Sequence, residues 1–166
     1  MIDIRRVNPA KDSHVVSLLI ENYLHQTESE KAERGLATYV EGEALAPRYE
    51  EEIANPAKAF RDCVVFVATD GGAPVGIVVV KPVDAQLEIK RLWVQPSHRG
   101  KSVASSLLRH VFSSTDVGSI RLTVWQWRVA ALALYERLGF AKAESWEQRR
   151  ELVCLERAHS NTDASR

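Results

Sequence analysis

Apolar positions recur in this chain with two periods, and the change between them outlines the fold. Residues 2–7 read as a short first strand, closed by Asn8-Pro9. Val15, Leu18, Leu19, Asn22 and Tyr23 then recur at helical spacing, predicting a helix over about residues 10–25. The stretch 26–35 is polar and ends in glycine. A second helix or helical pair is expected within 36–53, interrupted near Pro47 and closed by Asn55-Pro56. Residues 64–69 are apolar and rich in valine, the composition of a buried strand. Asp70-Gly71-Gly72 is a hairpin turn, and 75–80 the return strand, stopped by Pro82.

Further strands are predicted at 86–94 and 119–124, with a helix over 102–112 between them. An Ala- and Leu-rich helix over 130–138 ends at Gly139, a typical C′ residue. Phe140 begins a strand, and 151–155 form a last one. The order is strand, two helices, three strands, helix, strand, helix, two strands. It predicts one α+β domain over 1–157, with a mixed, mostly antiparallel central sheet flanked by helices. Residues 158–166 are expected to be a polar, disordered tail.

Composition narrows the function. The 45% hydrophobic and 27% charged content is that of a globular chain. Lys+Arg and Asp+Glu both number 22, so no net charge draws the whole molecule to nucleic acid or an anionic membrane. No apolar run approaches the ~20 residues that span a bilayer, and the first residues have no signal-peptide pattern. Cys63 and Cys154 have neither metal-ligand nor disulfide-framework spacing. Buried, reduced thiols in a cytoplasmic protein are the expectation. The five histidines are scattered, so no metal site is expected.

Locally the charge is uneven. Residues 28–52 hold eight carboxylates against Lys31, Arg34 and Arg48. Residues 81–110 hold six fixed cations against Asp84 and Glu88. A cationic substrate suits the first segment and an anionic cofactor the second, although each acid also reads as a solvated helix face.

The chemistry concentrates in the loop between the strand at 86–94 and the helix that follows. His98, Arg99, Gly100 and Lys101 lead into Ser102, Val103 and Ala104. Positive charge and backbone N–H groups at a helix start form a site for phosphate oxygens. Gly100-Lys101-Ser102 is not the end of a nucleoside-triphosphate loop, since Gln95 stands where that motif needs its first glycine.

Two separated pieces resemble the GNAT N-acetyltransferase superfamily. The first runs from Glu88 through Leu92, Trp93 and Val94 to Arg99-Gly100-Lys101-Ser102-Val103-Ala104, similar to the acetyl-CoA motif Arg/Gln-x-x-Gly-x-Gly/Ala. The second, Ala131 to Phe140, is similar to the family's A-x-x-L-Y-E-x-x-G-F segment. The resemblance implies a single-domain GNAT-like fold and acetyl transfer from acetyl-CoA, as cosubstrate, to a primary amine of a small molecule or protein. It implies that the loop 99–104 grips the pyrophosphate. It implies main-chain hydrogen bonds from Leu92 and Val94 to the pantetheine arm. Tyr135 is then the general acid for the leaving sulfur. Glu88 is the candidate general base, against an ion pair with Lys90 or Arg91.

The chain departs from the pattern twice. Ser102 replaces the loop's second glycine, where its hydroxyl could cap the helix or meet a phosphate. Arg128 stands where many members carry asparagine, a residue that often contacts the pantetheine arm or orders the loop; Arg128 could instead reach a phosphate or face solvent. Tyr39, Glu43, Tyr49, Trp125 and Trp127 are the acceptor-side candidates; the two tryptophans share a face if the strand continues through them. No nucleic-acid or membrane partner is expected, and a homodimer is compatible with the sequence. The competing reading is a non-catalytic acyl-CoA-binding module of the same fold.

Overall fold

The computed structural model describes residues 1–159; the rest of the expected tail, 160–166, lies outside the described residues. Seven strands form one sheet: β1 (Ile2–Val7), β2 (Val64–Asp70), β3 (Ala73–Val83), β4 (Gln86–Val94), β5 (Ser119–Trp125), β6 (Ala141–Lys142) and β7 (Leu152–Ala158). Their order is β1-β2-β3-β4-β5-β7-β6. Every neighbouring pair is antiparallel except β4 with β5. A parallel pair needs a crossover, and the helix between these strands in sequence supplies it. The helices are α1 (Ser13–Glu33), α2 (Pro47–Ala54), α3 (Pro56–Ala59), α4 (Val103–Ser113) and α5 (Val129–Arg137). The mixed, mostly antiparallel α+β architecture agrees with the sequence reading.

The central strands are buried on both faces. Phe66, Ala68, Val78 and Val80 pack with α4 and with Tyr135 of α5. Val65, Val67, Ile77 and Val79 pack with Val16, Leu19, Ile20 and Leu24 of α1. The odd–even alternation is the pleat of a strand read out by burial. Val103, Leu107, Leu108 and Val111 of α4 are all essentially sealed from solvent. Each contributes about 1.5–3 kcal/mol of burial, which fixes the start of α4 and the loop before it. The close approach of α4 to the sheet needs Gly76 in β3. A Cβ there would stand 3.2 Å from both Leu107 and Val103.

Several boundaries differ from the sequence pattern. Helix α1 continues past residue 25 to Glu33. The added turns are polar, but Thr27 and Glu28 are buried and Lys31 pairs with Glu28 at 2.8 Å. Pro47 starts α2 instead of interrupting a helix, as suits a residue lacking an N–H at a helix N-terminus. Residues 37–46 form no helix. Pro82 does not stop β3, which continues to Val83 beside β4 with Pro82 opposite Leu87, beyond the stretch paired with β2. At the other end, β7 includes Ala158, and His159 is buried with its backbone N–H donating to Gly118. Among the described residues, no helix is long and apolar enough to cross a membrane, and no group of three His, Cys, Asp or Glu could hold a metal. Both cysteines are free.

Candidate active site

The site arises from a split in the sheet. Strands β4 and β5 pair over only four positions, from Gln86 opposite Ser119 to Ile89 opposite Leu122. Lys90 is an extra residue in the β4 register against β3, since Val80 faces Ile89 and Val79 faces Arg91. A bulge adds local twist and redirects a strand. Past it β4 stays with β3 and β5 stays with β7, so the two diverge. The backbone of Lys90–Val94 is left without a strand partner on its β5 side. A cavity of about 850 Å³ occupies the opening. Leu92, Trp93 and Val94 line it from β4, Leu122 to Trp125 from β5, and Tyr135 from α5.

At one end lies the basic loop. One turn of 3₁₀ helix, Pro96–His98, leads to Gly100 and Ser102, both in the left-handed region at φ 75° and 62°. His98 Nε2 lies 3.0 Å from Asp70 Oδ2 and its Nδ1 lies 2.9 Å from Ser97 Oγ, which ties the loop to β2. Arg99, Gly100, Ser102, Val103 and Ala104 line the cavity; Lys101 is exposed beside it. Ser102 sits at the N-cap of α4 without a side-chain capping bond. Its carbonyl instead accepts from Ser105 Oγ, Ser106 Oγ and the Ser106 backbone N–H. Arg99 donates from Nε to the Val94 carbonyl at 3.0 Å and from Nη2 to Gln26 Oε1. Burial and the neighbouring Arg128 hold its pKa below the ordinary arginine value.

Tyr135 faces the cavity from α5 and is 6% exposed. Its ring meets Phe140 edge-on at 5.7 Å, and among the described residues its hydroxyl makes no hydrogen bond. Burial pushes the phenol well above its ordinary pKa, helped by Tyr23 and opposed by Arg128. The group is a neutral proton donor at any ordinary pH.

Glu88 does not line the cavity. It stands opposite Arg121 in the β4–β5 register, and its Oε2 accepts Arg121 Nε and Nη2 at 3.2 and 3.0 Å. Its Oε1 accepts Lys90 Nζ at 3.1 Å. The structure thus places Glu88 in an ion-pair network with Lys90 and Arg121. Arg128 neither reaches outward nor lies free. Its Nε and Nη2 donate to Glu30 Oε2 at 2.9 and 2.7 Å, and Nη2 also to Thr27 Oγ1 at 2.8 Å.

On the acceptor side, Tyr49, Trp125 and Trp127 line the cavity, whereas Tyr39 and Glu43 do not. Tyr39 bonds His25 Nδ1 through its hydroxyl at 2.7 Å, and Glu43 is exposed in a turn. Strand β5 ends at Trp125, yet the two tryptophans stack at 4.7 Å with 15° between planes, one from the strand and one from the turn after it. The acidic run of α2 does not line the cavity either. Glu50 accepts the Leu45 N–H, Glu51 pairs with Lys58, and Glu52 pairs with Arg91.

Tyr23 and Glu30, both on α1, are among the cavity residues that carry no motif in the sequence. Tyr23 lies beneath the guanidinium groups of Arg91 and Arg128, at 5.5 and 5.8 Å from its ring centre. Burial alone would raise the Glu30 carboxyl. Hydrogen bonds and charge from Arg128, with Gln26 and Trp127, more than offset that and hold it below its ordinary value. Helical periodicity marked Tyr23 as packing, and nothing local marks Glu30 as a cavity residue; its partners Trp127 and Arg128 are 97 and 98 residues away.

A narrow opening with free strand backbone, a basic loop at one end and a buried phenol in the wall fits an extended amide-bearing chain with phosphates at its end. That donor set is what a coenzyme A arm requires. The comparisons agree. Residues 61–142 match the family model of the Acetyltransferase (GNAT) domain, which supports the GNAT superfamily. It is 36% identical over 86 residues to N-acetyltransferase family 8 member 2 of Rattus norvegicus, a match covering 46% of this chain and 38% of that protein. The chain thus matches well under half the length of this curated relative. Among solved structures, the fold is similar to PaiA N-acetyltransferase of Thermoplasma acidophilum in complex with coenzyme A, with TM-score 0.68, 17% identity, and coverage of 96% and 99% of the two chains. It is also similar to the ribosomal-protein-S18-alanine N-acetyltransferase of Escherichia coli, with TM-score 0.66, 16% identity, and coverage of 96% and 95%.

Proposed function

We propose that this protein transfers an acetyl group from acetyl-CoA directly to a primary amine. The observation that carries the reading is the divergence of β4 from β5 beyond Ile89 and Leu122, which leaves Lys90–Val94 with strand backbone facing a cavity. Leu92 and Val94 would hold the pantetheine arm as an added strand, and the loop from Arg99 to Ala104 would hold the pyrophosphate. Acetyl-CoA supplies a thioester, an acyl group already activated for attack by an amine.

The protein's own groups do the rest. Tyr135 donates a proton to the sulfur as the C–S bond breaks. The C–N bond forms as the amine gives up a proton to solvent, so one proton leaves nitrogen and one reaches sulfur. A neutral phenol still holds its proton when the thiolate departs beside it, and the phenolate left behind is reprotonated from solvent, which balances the proton released from nitrogen.

The test is calorimetry with coenzyme A, followed by thiol release from acetyl-CoA across a panel of amines. We expect binding that Arg99→Glu weakens at least tenfold, and turnover with some acceptors. Unchanged affinity in Arg99→Glu would overturn the loop assignment. Tight binding without turnover by any amine would return the acyl-CoA-binding module.

A further inference from the structure

One part of the cavity wall is built from alternating cations and aromatic rings. Trp125 and Trp127 form its centre, stacked face to face. The Arg34 guanidinium covers Trp127 at 4.3 Å, while Arg149 and Lys31 lie over Trp125 at 5.7 and 5.9 Å. All five line the cavity. They come from three separate pieces of chain: α1, the end of β5 with its following turn, and the segment before β7.

The counter-charges sit elsewhere. Glu28 pairs with Lys31 and Glu147 pairs with Arg149, yet neither carboxylate lines the cavity. Arg34 approaches Glu33 only at 3.7 Å and donates Nη1 to the backbone carbonyl of Glu30. Arg149 gives Nε and Nη2 to Glu147, and a guanidinium carries five N–H donors. Both arginines therefore retain donors. Among the described residues, Glu30 is the one carboxylate in the cavity lining. A polycation would meet a wall of its own sign here, and a carboxylate would meet two forked donors.

We propose that the acceptor is an amine whose molecule also bears a carboxylate beside an apolar or aromatic body: an amino-acid-like amine, in preference to a polyamine or bare alkylamine. The carboxylate is held by Arg34 and Arg149, the body rests against the tryptophan pair, and the ammonium is directed toward Glu30. The inference names the acceptor class for the acetyl-transfer reading and rests on it.

The test separates binding from turnover. Protein saturated with coenzyme A is titrated with phenylalanine and, separately, with phenethylamine, which differs by the lost carboxylate. Binding is read from the fluorescence of the tryptophan pair, and spermidine is the polycation control. Phenylalanine should bind at least tenfold tighter than phenethylamine. The double variant Arg34→Gln/Arg149→Gln should reduce that ratio to within threefold while leaving coenzyme A affinity unchanged by calorimetry. Equal or tighter binding of phenethylamine or spermidine overturns the proposal. So does absence of binding by all three, or a ratio that survives in the double variant. Loss of coenzyme A binding by the unmodified protein would instead overturn the acetyl-transfer reading. Thiol-release assays with the same three amines should follow the binding order.

Discussion

The Arg128 guanidinium places Nε and Nη2 on a single oxygen of Glu30, at 2.9 and 2.7 Å, and so clamps the turn before α5 to the last turns of α1. Both side chains are about four-fifths shielded from solvent. The pair lies between an exposed ion pair and a fully buried one, so Arg128→Ala should destabilise by about 1–2 kcal/mol. Because the Glu30 carboxyl is held below its ordinary value of 4.5, its contribution is complete above that value. It is lost as pH falls through the lower folded-state value. Urea unfolding should show the wild-type advantage over Arg128→Ala shrinking below about pH 4; an advantage that grows on acidification would contradict the pair.

Tyr135→Phe keeps the ring, its contact with Phe140 and the packing of α5, and removes only the hydroxyl. General acids typically contribute 10²–10⁴-fold, so kcat should fall by at least about 10²-fold with little change in KM for acetyl-CoA. Burial keeps the phenol protonated, so the wild-type to variant ratio should stay constant from about pH 6 to pH 9. A ratio that collapses within that range would assign the proton to another group.

Ser102 holds φ at 62° with a side chain that caps nothing. Left-handed backbone costs a non-glycine residue about 1–2 kcal/mol. Ser102→Gly should therefore raise stability by about 0.5–1 kcal/mol, the gain being trimmed by glycine's greater freedom when unfolded. Thermal melts check this, and coenzyme A calorimetry on the same variant shows whether the hydroxyl serves the ligand. A large loss of affinity in the more stable variant would identify it as a phosphate ligand.

Gly76→Val drives methyl groups into Leu107 and Val103, at the foot of α4. Overpacking of this kind costs about 1–3 kcal/mol. It should also push the N-terminus of α4 off the sheet and weaken coenzyme A binding, although residue 76 lies outside the cavity lining. A variant that is destabilised yet binds coenzyme A with unchanged affinity would separate the sheet contact from the loop.

Apolar, valine-rich composition marked β2 and alternation marked β5, and motif spacing picked out Tyr135 and the loop 99–104, because those signals are local. The errors came from polar residues with distant partners. Residues 26–33 looked like a loop, yet they continue α1 because Thr27 and Glu30 meet Arg128 across the fold. Glu88, read as a candidate base or as an ion pair with a neighbour in sequence, bonds Arg121, 33 residues away, besides Lys90. Within the acidic segment 28–52, Glu50, Glu51 and Glu52 each have a partner of their own. Spacing along a chain reports which face a residue shares; it does not report what stands opposite.

Unpaired strand edges usually invite other proteins to add a strand, and sheets guard their outer edges for that reason. Here the unpaired stretch from Lys90 to Val94 lies in the middle of the sheet, between β3 on one side and the diverging β5 on the other. Helices α1 and α5 stand over the gap from opposite faces. A neighbouring protein's strand cannot slide in sideways, and only a slender thread entering lengthwise can reach the free amides. The fold thus keeps a sticky backbone open for its ligand while denying it to aggregation.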